Sequence, residues 1–152
     1  MDDALRLPTC SIGRAMDVLG ERWTLLILRE CFYGVRRFSV MQRNLGIARN
    51  ILSARLRLLV RTGILERSRY QDEPERFEYR LTEKGLGLYP AVVAIMRWGD
   101  EHLRDDRPPV VLRHVCGHPA DPVLVCAHCG DELDPRDVTP EPALVESSPG
   151  SP

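Results

Sequence analysis

The chain has 152 residues, is 43% hydrophobic and carries a formal net charge of −1, which suits one folded domain with an appendage. It holds no apolar run of about 18 residues, so no membrane-spanning helix is expected, and its acidic start, MDDALRLPTC, has no apolar export segment. A cytoplasmic location is therefore expected, with the five cysteines reduced unless they bind metal or sense oxidants.

The spacing predicts two helices between residues 10 and 34. In the first, Ser11 to Leu19, the apolar residues Ile12, Ala15, Met16 and Leu19 share one face before Gly20 breaks it. The second, Trp23 to Phe32, has Leu25, Leu26, Ile27 and Leu28 in a row, a density that predicts burial on more than one side. Gly34 ends it. A third, short helix is predicted to start at Ser39, where Ser39 and Gln42 fit a capping box, and to stop by Gly46. A fourth runs from about Arg49 to Arg61. Leu52, Leu56 and Leu59 form its apolar face; Arg49, Asn50, Ser53 and Arg57 form another. Arg55 falls within the apolar arc, where a structural role is expected, by snorkelling or by pairing with an acid. Gly63 is placed as the C-terminal cap.

Ile64 to Leu81 alternates with period 2 on both sides of QDEPE, the pattern of a β-hairpin. Its tip is acidic (Asp72, Glu73, Glu75), so Arg69 and Arg76 at its base are expected to make any phosphate contacts. Thr82 to Leu103 is predicted as one last long helix, apolar almost all round from Leu88 to Met96. A terminal helix of that kind in so small a domain calls for a partner subunit. Pro90 suits a first-turn position or a mild kink. Beyond Arg107 lie nine of the twelve prolines, and residues 136–152 have the composition of a disordered tail. The expected division is 10–106, 107–135 and 136–152.

Charge is unevenly spread along these elements. Between Gly34 and Arg69 nine arginines (36, 37, 43, 49, 55, 57, 61, 67 and 69) meet one acid, Glu66, whereas from Arg107 onward three arginines meet seven acids. Solvated helix faces usually mix both signs. This one does not, and a basic patch on a near-neutral protein is the electrostatic footprint of a nucleic-acid partner. Two short helices and a basic hairpin predict a mainly α fold with a small β-hairpin wing, a winged helix-turn-helix, gripping double-stranded DNA. Arg49, Asn50 and Ser53, at the start of the fourth helix, are the expected base readers, since Arg pairs bidentately with guanine and Asn with adenine. Arg57, Arg69 and Arg76 are the expected phosphate contacts.

The tail adds His114-Val-Cys116-Gly-His118 and Cys126-Ala-His128-Cys129-Gly130. A Cys-x-x-Cys-Gly turn with further Cys and His nearby is the pattern of a small zinc ribbon. A zinc-ribbon-like appendage is therefore expected, with His114, Cys116, Cys126 and Cys129 as candidate ligands of a structural zinc and His118 and His128 as rivals for the fourth place. Two alternatives stand beside it: a ribbon that keeps its fold without metal, and a redox pair of Cys126 and Cys129.

Residues 10–103 resemble the HxlR-type transcriptional regulators, relatives of the MarR winged-helix proteins. The resemblance lies in Cys10, VLGERWTLLILRE (18–30), RFSVMQRNLGIARNILSARLRLLVRTGILER (37–67), YRLTEKG (79–85) and LYPAVVAIMRWGDEHL (88–103). It implies a homodimer joined by the first and last helices, two recognition helices in successive major grooves, a pseudo-palindromic operator and control of nearby genes, most simply as a repressor. It also implies a small-molecule or oxidant effector: some members sense oxidants or electrophiles through a cysteine at the position of Cys10. This chain departs from the family in having Ala48 where Ser or Thr often begins the recognition helix, which weakens the cap by about 1 kcal/mol. It also has Ser11 where Pro often follows the cysteine. Other readings are a protein-interaction module using the winged helix as scaffold and a CxxC thiol redox protein. No phosphate-binding glycine loop or acid–base constellation is present, so no enzyme is expected.

Overall fold

A computed structural model describes residues 10–141. The chain divides after Arg107 into two compact units. Among the described residues the first contains six helices and a two-stranded antiparallel sheet, in the order α1 (Ser11–Leu19), α2 (Arg22–Phe32), α3 (Phe38–Leu45), α4 (Arg49–Arg61), β1 (Leu65–Gln71), β2 (Arg76–Leu81), α5 (Glu83–Leu86) and α6 (Tyr89–His102).

The core lies where α2, α3, α4 and the start of β1 converge. Ile27 and Leu28 of α2, Met41 of α3, Leu52, Leu56 and Leu59 of α4, and Leu65 of β1 are all fully buried. The apolar spacing of α4 thus seats that helix and leaves its polar side outward. Glu21 caps α2 by accepting from the Trp23 N–H (3.0 Å) and also lies 3.7 Å from Arg55 Nε, the acid partner that Arg55 needs in the apolar arc. Glu30 is buried, yet both carboxylate oxygens are satisfied: Oε1 accepts from Arg29 (2.8 Å) and Oε2 from Asn44 Nδ2 (2.7 Å), tying α2 to the end of α3. Buried carboxylates need such partners because desolvation otherwise exceeds any gain.

Helix α4 ends in a Schellman motif. The Ile64 N–H donates to the Leu59 carbonyl (2.9 Å), the Gly63 N–H donates to that of Val60 (3.0 Å), and Gly63 adopts φ +73°, which an L side chain resists. The hairpin follows at once, pairing Leu65 with Leu81, Arg67 with Tyr79 and Arg69 with Phe77, with an irregularity between Arg69 and Gln71. It is stitched to the connection before α3: the Tyr79 N–H donates to the Arg36 carbonyl (2.8 Å), and Arg37 bridges Glu78.

Two expectations are corrected here. Helix α3 starts at Phe38 with Arg37 as N-cap, so Ser39 lies inside the helix and makes no capping box. The bridge to Glu78 holds Arg37 extended (φ −94°, ψ 135°), and the helix begins directly after it. The single helix expected over 82–103 is two helices. Pro90 has no N–H to give the Leu86 carbonyl, so the ladder stops, and Pro90 sits in the first turn of α6.

Helix α6 touches the rest of the unit along one narrow line. Val93 is its one buried residue, the Phe32 and Tyr89 rings lie 5.0 Å apart, and the Tyr33 hydroxyl is 3.7 Å from Met96 Sδ. Val92 and Met96 are half-buried, whereas Ile95 and Trp98 face outward, Trp98 being 55% exposed, and much of the stripe predicted on α1 does the same: Leu19 is buried, but Ile12 is 72% exposed. No helix among the described residues is long and apolar enough to cross a membrane.

The second unit contains two tight turns. In one, the His114 N–H donates to the His118 carbonyl (3.0 Å) and Arg113 bridges Pro119; in the other, the Cys126 N–H donates to the Asp131 carbonyl (2.8 Å) and Val125 bridges Glu132. The segment expected to be a disordered tail is described only as far as residue 141; 142–152 lie outside the described residues.

Candidate nucleic-acid interface

The hairpin leaves the end of α4 and its outer part lies beside the start of that helix, where the two elements enclose a groove of about 580 Å³. Arg49 and Ser53 enter it from α4, Arg37 and Phe38 from the start of α3, and Arg67, Tyr70, Glu75, Arg76 and Phe77 from the hairpin. Period 2 explains part of the hairpin's share: Arg67, Phe77 and Tyr79, with Arg69, fall on the face that begins with buried Leu65, whereas Tyr70, Glu75 and Arg76 reach the groove from the tip, at and beyond the irregularity between Arg69 and Gln71. Arg80 falls on the other face and is bound to Glu78 (2.8 Å from Nε), away from the groove.

Three arginines of the groove rest on aromatic rings. The guanidinium carbon of Arg37 lies 4.8 Å from the Tyr70 centroid, that of Arg49 5.3 Å from Phe38, and that of Arg67 3.5 Å from Phe77. At exposed sites each contact contributes about 0.5–1 kcal/mol. Its larger consequence is geometric, since a guanidinium held by its face keeps its N–H edge free for phosphate or base oxygens. The basic run was visible in the sequence, but Arg37 and Arg67 were not singled out. For Arg67 the signal was its place on one hairpin face with Phe77 and Tyr79, which period 2 supplies; for Arg37, in the connection before α3, the sequence carries none, and only the fold brings it against Tyr70.

Of the expected DNA-contacting residues, Arg49, Ser53 and Arg76 meet in this groove. Arg57 continues the Arg49–Ser53 face two turns along α4, and Asn50 is exposed at its start. Arg69 is engaged elsewhere: its Nη1 lies 3.4 Å from Asp72 Oδ1 and its Nη2 2.5 Å from Glu75 Oε1. Ala48 precedes α4 in extended conformation and offers no side-chain cap.

Cys10 is exposed at the N-cap of α1, where the backbone N–H groups of Gly13 and Ile12 hold its thiol pKa below the usual value. Cys31 is its opposite: burial, with the neighbouring Glu30 charge, pushes its pKa up to about 12. Iodoacetamide at neutral pH is therefore expected to label Cys10 and leave Cys31 untouched in the native protein, as read by peptide mass spectrometry. Labelling of Cys31 without denaturant would contradict the packing described.

The four candidate zinc ligands do not come together. Among the described residues no group of three or more His, Cys, Asp or Glu side chains is placed to hold a metal ion. The first turn, His-x-Cys, is one residue shorter than Cys-x-x-Cys, and His114 Nδ1 accepts from the Cys116 N–H (3.3 Å), within its own turn. In the second turn the N–H groups of Cys129 and His128, and then the Cys129 thiol, lower the pKa of Cys126.

A recognition helix seated by its leucines, an arginine-lined groove and an antiparallel wing together define a winged helix-turn-helix transcriptional regulator. The chain belongs to the family described as HxlR-like helix-turn-helix, whose model matches residues 18–107. It is 59% identical over 134 residues to an uncharacterized HTH-type transcriptional regulator of Mycobacterium tuberculosis (strain ATCC 25618 / H37Rv), covering 87% of this chain and 85% of that one. Among solved structures it is similar to PA1607, a candidate transcription factor, with a TM-score of 0.80 and 37% identity over 90% of this chain and 96% of that chain. It is also similar to the redox regulator HypR in its reduced form, with a TM-score of 0.59 and 30% identity over 62% of this chain and 94% of that one. The relatives are regulators of transcription and not enzymes.

Proposed function

We propose that this chain is a homodimeric, sequence-specific DNA-binding repressor whose affinity falls when Cys10 is oxidised or alkylated. The observation that carries the DNA reading is the groove between α4 and the hairpin, with Arg37, Arg49 and Arg67 pre-set on aromatic rings. In this reading Arg49, Asn50 and Ser53 meet base edges in the major groove, while Arg57 and Arg76 meet phosphates. The homodimer is supported by the exposed apolar residues of α1 and α6, which a second copy would cover. An apolar groove of about 220 Å³ between α2 and α6, lined by Leu25, Leu26, Val92, Ile95 and Met96, gives a small-molecule effector a place in the same region. Repression is the default outcome when a dimer spanning two half-sites one helical turn apart excludes other proteins from that DNA. The exposed, acidified thiol of Cys10 and the likeness to a redox regulator support the sensing role.

The test is a titration of operator and mixed-sequence duplexes at several salt concentrations, the operator being selected by the protein from random sequence. Arg49→Ala is expected to relax discrimination at one base pair, by about 1–3 kcal/mol. Arg76→Ala is expected to weaken all sequences alike and to flatten the salt dependence by about one phosphate contact. Equal, uniform losses in both variants would overturn this division of roles. A complex containing one chain per operator would overturn the dimer.

A further inference from the structure

We propose that Glu75 is a specificity-determining residue: it occupies Arg69 in place of a DNA phosphate, and releases it only when the recognition helix is fully seated. The inference rests on the DNA-binding reading given above. Arg69 stands on the same strand face as Arg67, yet Asp72 and Glu75 from the hairpin's own turn take both of its terminal nitrogens. Glu75 is also the one acid in the lining of a groove otherwise furnished with Arg37, Arg49, Arg67 and Arg76. Its carboxylate therefore does for Arg69 what a phosphate oxygen would do, at the place where phosphates are expected.

The pair is exchangeable. Arg69 and Glu75 are each about half exposed, and exposed ion pairs are weak. A phosphate brought close enough displaces the carboxylate. Sequence-independent complexes hold the protein by loose phosphate contacts without close insertion of the helix. In those complexes Arg69 stays on Glu75 and adds nothing, while the carboxylate repels the backbone. On the correct sequence the helix sits deeper, the wing follows, and Arg69 transfers to phosphate. The penalty thus falls mainly on wrong sequences. Glu73 provides an internal comparison: it carries the same charge in the same turn, and among the described residues its carboxylate has no ion-pair partner.

The experiment compares the full chain with its Glu75→Gln, Glu73→Gln, Arg69→Ala and Arg69→Ala/Glu75→Gln variants, on mixed-sequence duplex and on the selected operator, across a salt series. Glu75→Gln is expected to tighten mixed-sequence binding about fivefold and operator binding by less than about twofold, with the mixed-sequence salt slope steeper by about one phosphate contact. Glu73→Gln is expected to leave both unchanged, and Arg69→Ala to abolish the gain from Glu75→Gln. Equal gains from Glu73→Gln and Glu75→Gln, or a gain that survives Arg69→Ala, would show simple repulsion by the acidic turn and overturn the proposal while leaving DNA binding intact. Failure of the unaltered chain to select any duplex would overturn the DNA reading and this inference with it.

Discussion

Replacing Leu56 with alanine is expected to destabilise the first unit by about 2–5 kcal/mol and to remove DNA binding at temperatures where the unaltered protein still binds. Leu56 is fully buried on α4, among Ile27, Leu28, Met41, Leu52 and Leu59. Neighbours from two other helices and the start of β1 are fixed by their own contacts, so they cannot close over the space left. The cost is then the lost transfer energy plus that of a residual cavity. For a unit of this size a loss of 1 kcal/mol lowers Tm by about 4–8 °C, so the shift is large on a circular dichroism melt. Ile51, on the same helix but 36% exposed, is the comparison: its alanine variant should move Tm far less. Similar shifts for the two would mean that the leucine face does not seat the recognition helix.

A second large effect is expected at Gly85, and it concerns the wing. A Cβ on Gly85 would lie 2.2 Å from the Ile64 carbonyl oxygen and 3.0 Å from Leu81 Cδ2. The first neighbour is backbone and cannot step aside, because that carbonyl already accepts from the Thr82 N–H (3.1 Å). Around it Thr82 Oγ1 donates to the Gly63 carbonyl, and Lys84 Nζ donates to that of Thr62 (2.7 Å). Thr82, Lys84 and Gly85 therefore lock the end of the hairpin onto the end of α4, setting the wing's distance from the recognition helix. Gly85→Ala must push α5 away and break part of this lock, at a cost of about 1–3 kcal/mol or more. Weaker DNA binding should accompany the lower Tm, even though Gly85 is remote from the groove. Unchanged stability would mean that α5 does not dock as described. Lower stability with full DNA affinity at low temperature would mean that the lock does not position the wing.

These two positions differ in how far the sequence announced them. The leucines at 52, 56 and 59 repeat with the helical period, so both the bounds of α4 and its buried face could be read directly, as could the hairpin from its alternation. Gly85 gave no such signal. The helix expected over 82–103 runs straight through it, and its real constraint is the carbonyl of Ile64, in the turn before β1. Ser39 shows the same limit in reverse: its local pattern fits a capping box, but the bridge between Arg37 and Glu78 decides where α3 begins.

The division extends to the site. The sequence by itself determined the mainly helical winged fold, the basic character of residues 34–69 and the exposed basic side of α4, because helical and strand periods and net charge are local properties. Only the tertiary structure decided which arginines share a groove, which of them rest on aromatic rings and which, like Arg69, are held by the protein's own acids. Among the described residues it also gathers no three of the candidate zinc ligands at one point, although Cys126 and Cys129 lie together in one turn. In each case the deciding quantity is a distance between side chains on different elements, and spacing along a chain constrains such distances only within a single helix or strand.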